Sequence, residues 1–204
     1  MAPLPAPRRG EGGLGRAARW ISIAGHPFTF ISLLALSGAI QRQGIAAGLR
    51  TGFMVILIAL VPIGAFMLYR VRVGAWKDVD ASRSSERPAL YLIALLLVFA
   101  LFELMARRHG AAYLNVGVLS VMAILLLGLL LNRWIKASLH MAFCLFVGTF
   151  CLSFSPVLGI AVLLAAPFLF WARVRMGRHT VAEVVAGTGI GLVVGIAALL
   201  VSGR

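Results

Sequence analysis

Seven apolar runs, at about 20–40, 50–70, 88–106, 111–132, 139–154, 155–172 and 181–201, take up most of this 204-residue chain. Only short polar segments separate them. Runs of this length match the hydrocarbon thickness of a bilayer. They are rich in Leu, Ala and Val without a period of two, so their backbone hydrogen bonds must close within each segment as helices rather than between strands of a barrel. With 61% hydrophobic residues, 12% charged residues and a mean hydropathy of +1.00, a soluble core is excluded. The fold class is all-α, a polytopic transmembrane helix bundle of about seven spans. Six is the alternative count, because 139–154 and 155–172 abut around Ser153-Phe154-Ser155-Pro156.

One transmembrane domain is expected over 20–204. The Pro-, Gly- and Arg-rich residues 1–19 are expected to form a disordered basic tail. The first apolar run is long for a signal peptide and is interrupted by His26-Pro27, so it reads as a retained helix.

The net charge of +13 does not point to nucleic acid, because no soluble segment interleaves cations with aromatics. With seven spans, the loops 71–87, 133–138 and 173–180 lie on the side of the N-terminus. That side holds fourteen of the nineteen Lys and Arg residues, and the other holds five. The positive-inside rule then places these loops in the cytoplasm, for a multi-pass protein of the cell (inner) membrane. Cys144 and Cys151 share a helix face and read as small buried hydrophobes. Gly187, Gly191 and Gly195 form a small-residue ridge suited to close helix packing, with no chemistry assigned to it.

The three same-side loops each carry a polar cluster. The first is Lys77-Asp-Val-Asp80-Ala-Ser-Arg83-Ser-Ser-Glu86-Arg87-Pro88, and the second is Lys136-Ala-Ser138-Leu-His140. The third is Arg173-Val-Arg-Met-Gly-Arg-His179-Thr-Val-Ala-Glu183. Folded together, they would surround one pocket with Arg87, Arg173, Ser138, His140, His179 and Glu183. Such a set suits phosphoryl transfer. Guanidinium groups bind phosphate oxygens bidentately, and a serine opening a helix offers its hydroxyl and the following N–H groups to an anion. One imidazole can attack phosphorus while a carboxylate holds its other nitrogen, and a second can protonate the leaving oxygen. His179 and Glu183, four residues apart, meet on one helix turn. Thr180-Val-Ala-Glu183 also reads as a capping box, a competing use of Glu183. Arg175 and Arg178 read as interfacial anchors, and His26 and His109 as structural. Glu103, near the end of an apolar run, has no evident partner.

These clusters resemble the three motifs of the type 2 phosphatidic acid phosphatase superfamily. Arg173-x5-His179-x3-Glu183 is similar to its third motif, S-R-x5-H-x3-D. Ala-Ser138-Leu-His140 is similar to the second, P-S-G-H, and Arg87-Pro88 to the end of the first, K-x6-R-P. Their order and spacing match over roughly 50–200. The resemblance implies a metal-independent lipid phosphatase without a cofactor. His179 would become phosphorylated, Glu183 would orient it and His140 would protonate the leaving group. Arg87, Arg173 and Ser138 would hold the phosphate. Departures are specific: Asp80 stands where the motif has lysine, Ala137 and Leu139 replace Pro and Gly, Ala172 replaces Ser, and Glu183 replaces Asp. Arg83 or Lys77 is expected to supply the missing charge.

The expected partner is a phosphorylated lipid or polyprenyl phosphate in the membrane, while the oligomeric state is not encoded legibly. Two other readings compete. One is a catalytically degenerate relative that binds lipid head groups or a partner. The other is a magnesium-dependent prenyltransferase using Asp78 and Asp80, for which a second Asp-rich motif is missing.

Overall fold

The computed structural model describes residues 12–107 and 112–202, and all regular structure among them is helical. Helices α1 (Gly13–Ala24) and α2 (Pro27–Gln43) form a pair bent by 42°. The bend falls where the sequence requires it: a residue before proline is held out of the helical region, and Pro27 then opens α2 without losing a needed N–H. His26 is accordingly extended, at φ −66° and ψ 144°, and its Nδ1 accepts a hydrogen bond from the Phe28 N–H as the cap of α2.

A tight turn at Gly44, with a positive φ of 80°, sends the chain back into α3 (Ile45–Val55). A π-helical turn (Ile56–Leu60) joins it to α4 (Val61–Arg72). These run on as one 28-residue span. Pro62 accounts for the wide turn, since its ring cannot pack against the carbonyl four residues earlier and it has no N–H to donate there. Then follow α5 (Arg87–Arg107), α6 (Ala112–Leu131), α7 (Leu139–Cys151), α8 (Pro156–Arg175) and α9 (Val181–Ser202).

The bundle differs from seven equal spans. Five helices, counting α3 to α4 as one, are long and apolar enough to cross a membrane, and the bent α1–α2 pair would make six. The run at 139–154 yields only the 13-residue α7, about 20 Å long and short of the ~30 Å hydrocarbon core. Every residue from His140 to Cys151 is buried, so α7 is the centre of the bundle and not a lipid-facing span. Exposed Leu92, Leu96 and Phe99 on α5 and Leu164 and Phe168 on α8 form parts of the outer apolar surface. α7 descends and α8 returns, so the three polar loops still meet at one end.

Two other expectations change. Residues 13–19 are helical, not disordered: they begin α1, which buries Ala18 and Ser22 and exposes Trp20. Residues 1–11 and the His109 segment lie outside the described residues. The polar segment 41–49 is not a loop throughout, since α3 begins at Ile45.

The glycine ridge of α9 lies against α7. A Cβ at position 187 would stand 2.3 Å from the Ser138 carbonyl oxygen, and one at 191 would stand 2.3 Å from that of Ala142. Only glycine permits that approach, which sets the start of α7 beside the start of α9.

Candidate active site

The site lies where the 73–86, 132–138 and 176–180 segments and the α1–α2 bend come together. Arg87, the first residue of α5, is almost fully buried and ties these segments to one another. Its Nη1 donates to the Ala137 carbonyl at 2.6 Å, its Nε to that of Ala81 at 3.3 Å, and its Nη2 lies 3.4 Å from His179 Nε2. Ala81 has a φ of +46°, unusual for a residue with a Cβ. The Ser138 N–H donates to the Glu183 carbonyl at 2.9 Å, linking the second cluster to the third.

The Arg87 and Glu183 contacts around His179 favour one tautomer, while a hydrogen bond to the Lys136 backbone carbonyl favours the protonated ring. A guanidinium only donates, so Nε2 facing Arg87 is the accepting nitrogen. Nδ1 therefore carries the proton and donates it to Glu183 Oε2, 3.0 Å away. The capping box forms as well: the Thr180 N–H donates to the same Oε2 at 3.1 Å, and the Glu183 N–H donates to Thr180 Oγ1 at 3.3 Å. The two uses of Glu183 that compete in the sequence coexist on one oxygen. Burial, with Arg87, Arg173 and Lys136 close by, pulls the His179 imidazole down to about 2.

Arg173, near the end of α8, reaches into the same space and is 2% exposed. Its Nη1 donates to Ser22 Oγ at 2.7 Å and to Asp80 Oδ2 at 3.2 Å, and lies 3.4 Å from His140 Nε2. Ser138 caps α7 by position only: its hydroxyl makes no capping bond, and both Ser138 Oγ and Arg173 Nε are buried without a hydrogen-bond partner among the described residues. The first turn of α7 adds N–H groups that have no intrahelical acceptor. Together these are donors suited to an anion.

Arg87, Arg173, Ser138, His140, His179 and Glu183 are thus brought together. Arg83 and Lys77 are not: both side chains are exposed, and their backbone N–H groups are held by the Glu86 carboxylate. Lys136 is the lysine that does arrive. Its Nζ donates to the Ser82 and Arg178 carbonyls at 3.1 Å each and lies 3.8 Å from Glu183 Oε2. Arg178 is not an interfacial anchor but pairs with Asp78 across two loops. Hydrogen bonds from Ser82 and Arg178 outweigh the effect of burial and hold the Asp78 carboxyl below its usual range.

Two residues of this site are not apparent from the three sequence motifs. Asp80, at the position of the absent lysine, is the counter-ion of Arg173. His26, read from sequence as structural, does cap α2, yet its Nε2 faces Asp80 at 3.9 Å and its ring meets His140 edge-on at 5.3 Å. Scarcity was an available signal: four of the six acidic residues, Asp78, Asp80, Glu86 and Glu183, lie in these loops or in the first turn of α9. His26 had its own in the helix break at Pro27.

Ligand atoms of His26, Asp80 and His140 lie within 4.8 Å of one another, a donor set that divalent metals accept. Arg173 Nη1 stands among them, so a guanidinium already supplies the positive charge there. Beneath this polar end an apolar cavity runs down into the bundle, with Arg87, Arg173, His140, Asp80 and His26 at its head. Comparisons with models of protein families, with curated proteins and with solved structures found no match for this chain.

Proposed function

We propose that this chain is a membrane phosphatase that removes phosphate from a lipid phosphate or diphosphate through a phosphohistidine at His179. The observation that carries the reading is the clasped imidazole: Nδ1 held by Glu183 at 3.0 Å, with Nε2 3.4 Å from Arg87, whose side chain lines the head of the apolar cavity. That is the tautomer a nitrogen nucleophile needs, and the low proton affinity of His179 keeps Nε2 unprotonated.

In this reading the phosphate draws Arg87 and Arg173 onto its oxygens, with Ser138 Oγ and the first N–H groups of α7 as further donors. The Nε2 lone pair forms a bond to phosphorus as the ester P–O bond breaks. His140 gives the departing oxygen a proton, which it takes up as the negative phosphate arrives beside it and Arg173 turns away. Water then attacks the phosphohistidine, His140 takes its proton, and inorganic phosphate leaves. The Glu183 carboxylate, through its bond to Nδ1–H, balances the positive charge that develops on His179. The resemblance to type 2 phosphatidic acid phosphatases supports this assignment, as does the gathering of Arg87, Arg173 and Lys136 around the site. The excess of cations at this end supports a site at the cytoplasmic face of the cell membrane. Replacing His179 by Ala is expected to abolish phosphate release from lipid phosphates, with the variant still extracted as a folded protein. Undiminished turnover contradicts the reading.

A second reading has one observation in its favour. The Asp80 carboxylate already sits on Arg173, 3.2 Å away, as an internal anion. A degenerate relative would keep that pair closed and bind head groups through Arg87 alone. It predicts lipid phosphate binding at equilibrium with no phosphate released.

A further inference from the structure

Resting on the phosphatase reading, we infer that the substrate carries its phosphate on a single apolar chain, and that this chain lies inside the bundle rather than along its lipid-facing surface. The cavity has its charged side chains at the head, and its remaining walls are almost wholly apolar. Down α5 its wall is Leu90, Ala94, Val98 and Leu101, one helix face at a spacing of three or four residues. From Arg87 to Leu101 that face extends about 21 Å at ~1.5 Å per residue, deeper than the ~15 Å belonging to one leaflet of a ~30 Å core.

The far end is walled by aromatic side chains. Tyr113, at the start of α6, lines the cavity and has its hydroxyl held by Gln43 Nε2 at 3.0 Å. At the neighbouring level Gly117 faces Phe150, with only 3.6 Å between a Cβ there and the ring. The slot is also narrow, a cavity of about 120 Å³ drawn out along this length. A diacylated phosphate divides into two chains within a few atoms of its phosphorus, at the level where buried Arg87, His140 and Arg173 hem in the head. One chain can follow the slot from there, and a second would have to leave it. A single-chain alkyl or isoprenyl phosphate fits both the head and the slot. Burying its methylene groups would stabilise the complex in proportion to chain length until Tyr113 is reached.

The test uses the full chain in lipid nanodiscs and hexadecyl phosphate with a photoreactive diazirine near the chain end. Crosslinks mapped to Val98, Leu101 or Tyr113 are expected, and a vanadate-free excess of unlabelled hexadecyl phosphate should compete them away. Crosslinks confined to the outward residues Leu92, Leu96 and Phe99 overturn the inference. In parallel, kcat/KM is compared for butyl, dodecyl and hexadecyl phosphate and for a diacyl phosphatidic acid. A rise of at least tenfold from butyl to hexadecyl phosphate is expected, with the diacyl substrate at least tenfold below hexadecyl phosphate. Ala94→Trp should cut the hexadecyl-to-butyl ratio at least tenfold, and an unchanged ratio in folded protein contradicts it. Phosphate release without chain preference defeats this inference alone. Internal crosslinking without release from any substrate defeats the phosphatase reading alone.

Discussion

Asp80 shows how one side chain changes the meaning of a site. Its carboxylate is the partner of Arg173, a guanidinium buried to 2% exposure, so its loss leaves a charge without compensation. Asp80→Asn is therefore expected to lower the Tm of the protein in phosphate-free buffer. Millimolar inorganic phosphate should restore most of that loss, because an external anion can take the vacated place on Arg173. The same variant should bind phosphate several-fold tighter than the parent. A thermal-shift titration reads both effects, and equal phosphate responses in variant and parent would rule out Asp80 as the occupant of the anion position.

His179 adds a pH dependence whose sign follows from burial. Its imidazole is pulled from an ordinary 6.5 to about 2 in the folded protein, so between these values the unfolded chain binds more protons. The resulting contribution is a stability that falls as pH drops below ~6.5, and the fall is complete only near 2. Arg87, Arg173, Lys136 and Glu183 are the charged groups around it. His179→Gln, which cannot be protonated, is expected to lose less Tm than the parent between pH 7 and pH 5. Parallel losses in the two proteins would contradict this.

At the scale of helices, the α7–α9 contact carries the site. Gly187 meets the Ser138 backbone, while Gly189, two residues on, faces open space. Gly187→Ala should cost about 1–3 kcal/mol by forcing these helices apart and should reduce turnover by moving Ser138 and His140 away from His179. Gly189→Ala should be neutral or stabilise by about 0.4–1 kcal/mol, because the alanine fits and restricts the unfolded chain. Denaturation of the two variants side by side distinguishes them, and equal effects would mean the ridge does not set the packing.

Much of this level was legible. The helices follow from apolar runs that must satisfy their own hydrogen bonds, the α1–α2 bend from His26-Pro27, and the close packing of α9 on a neighbour, though not which neighbour, from three glycines four residues apart. The length of α7 was not legible: hydropathy cannot distinguish a lipid-facing span from a helix whose whole surface is covered by its neighbours. Nor was the helicity of 13–19, where α1 gains its stability by burying Ala18 and Ser22 against the rest of the bundle. That contact is invisible in a local reading of glycine and arginine content.

For the molecule as a whole, the three loop clusters converge because helices alternate in direction, and parity alone brought Arg87, Ser138, His140, Arg173, His179 and Glu183 to one end. Parity says nothing of which long side chains turn inward. Lys77 and Arg83 point to solvent, whereas Lys136 is drawn in by two carbonyl oxygens and Glu183. His26 joins from a fourth segment that carries none of the three motifs. With α9 leading away from the site, a reporter fused after residue 202 should register on the membrane face opposite the site, outside the cytoplasm. A cytoplasmic signal would move the site to the other face.

The central claim is that phosphorus becomes bonded to His179 Nε2. The most direct measurement is to mix the protein with phosphorus-labelled hexadecyl phosphate, quench in alkali, where phosphohistidine survives, and locate the label by peptide mass spectrometry. The account predicts label on His179, chased off by water within one turnover time and absent from His179→Ala. Label on another residue, or phosphate released by a protein that never carries label, would contradict it.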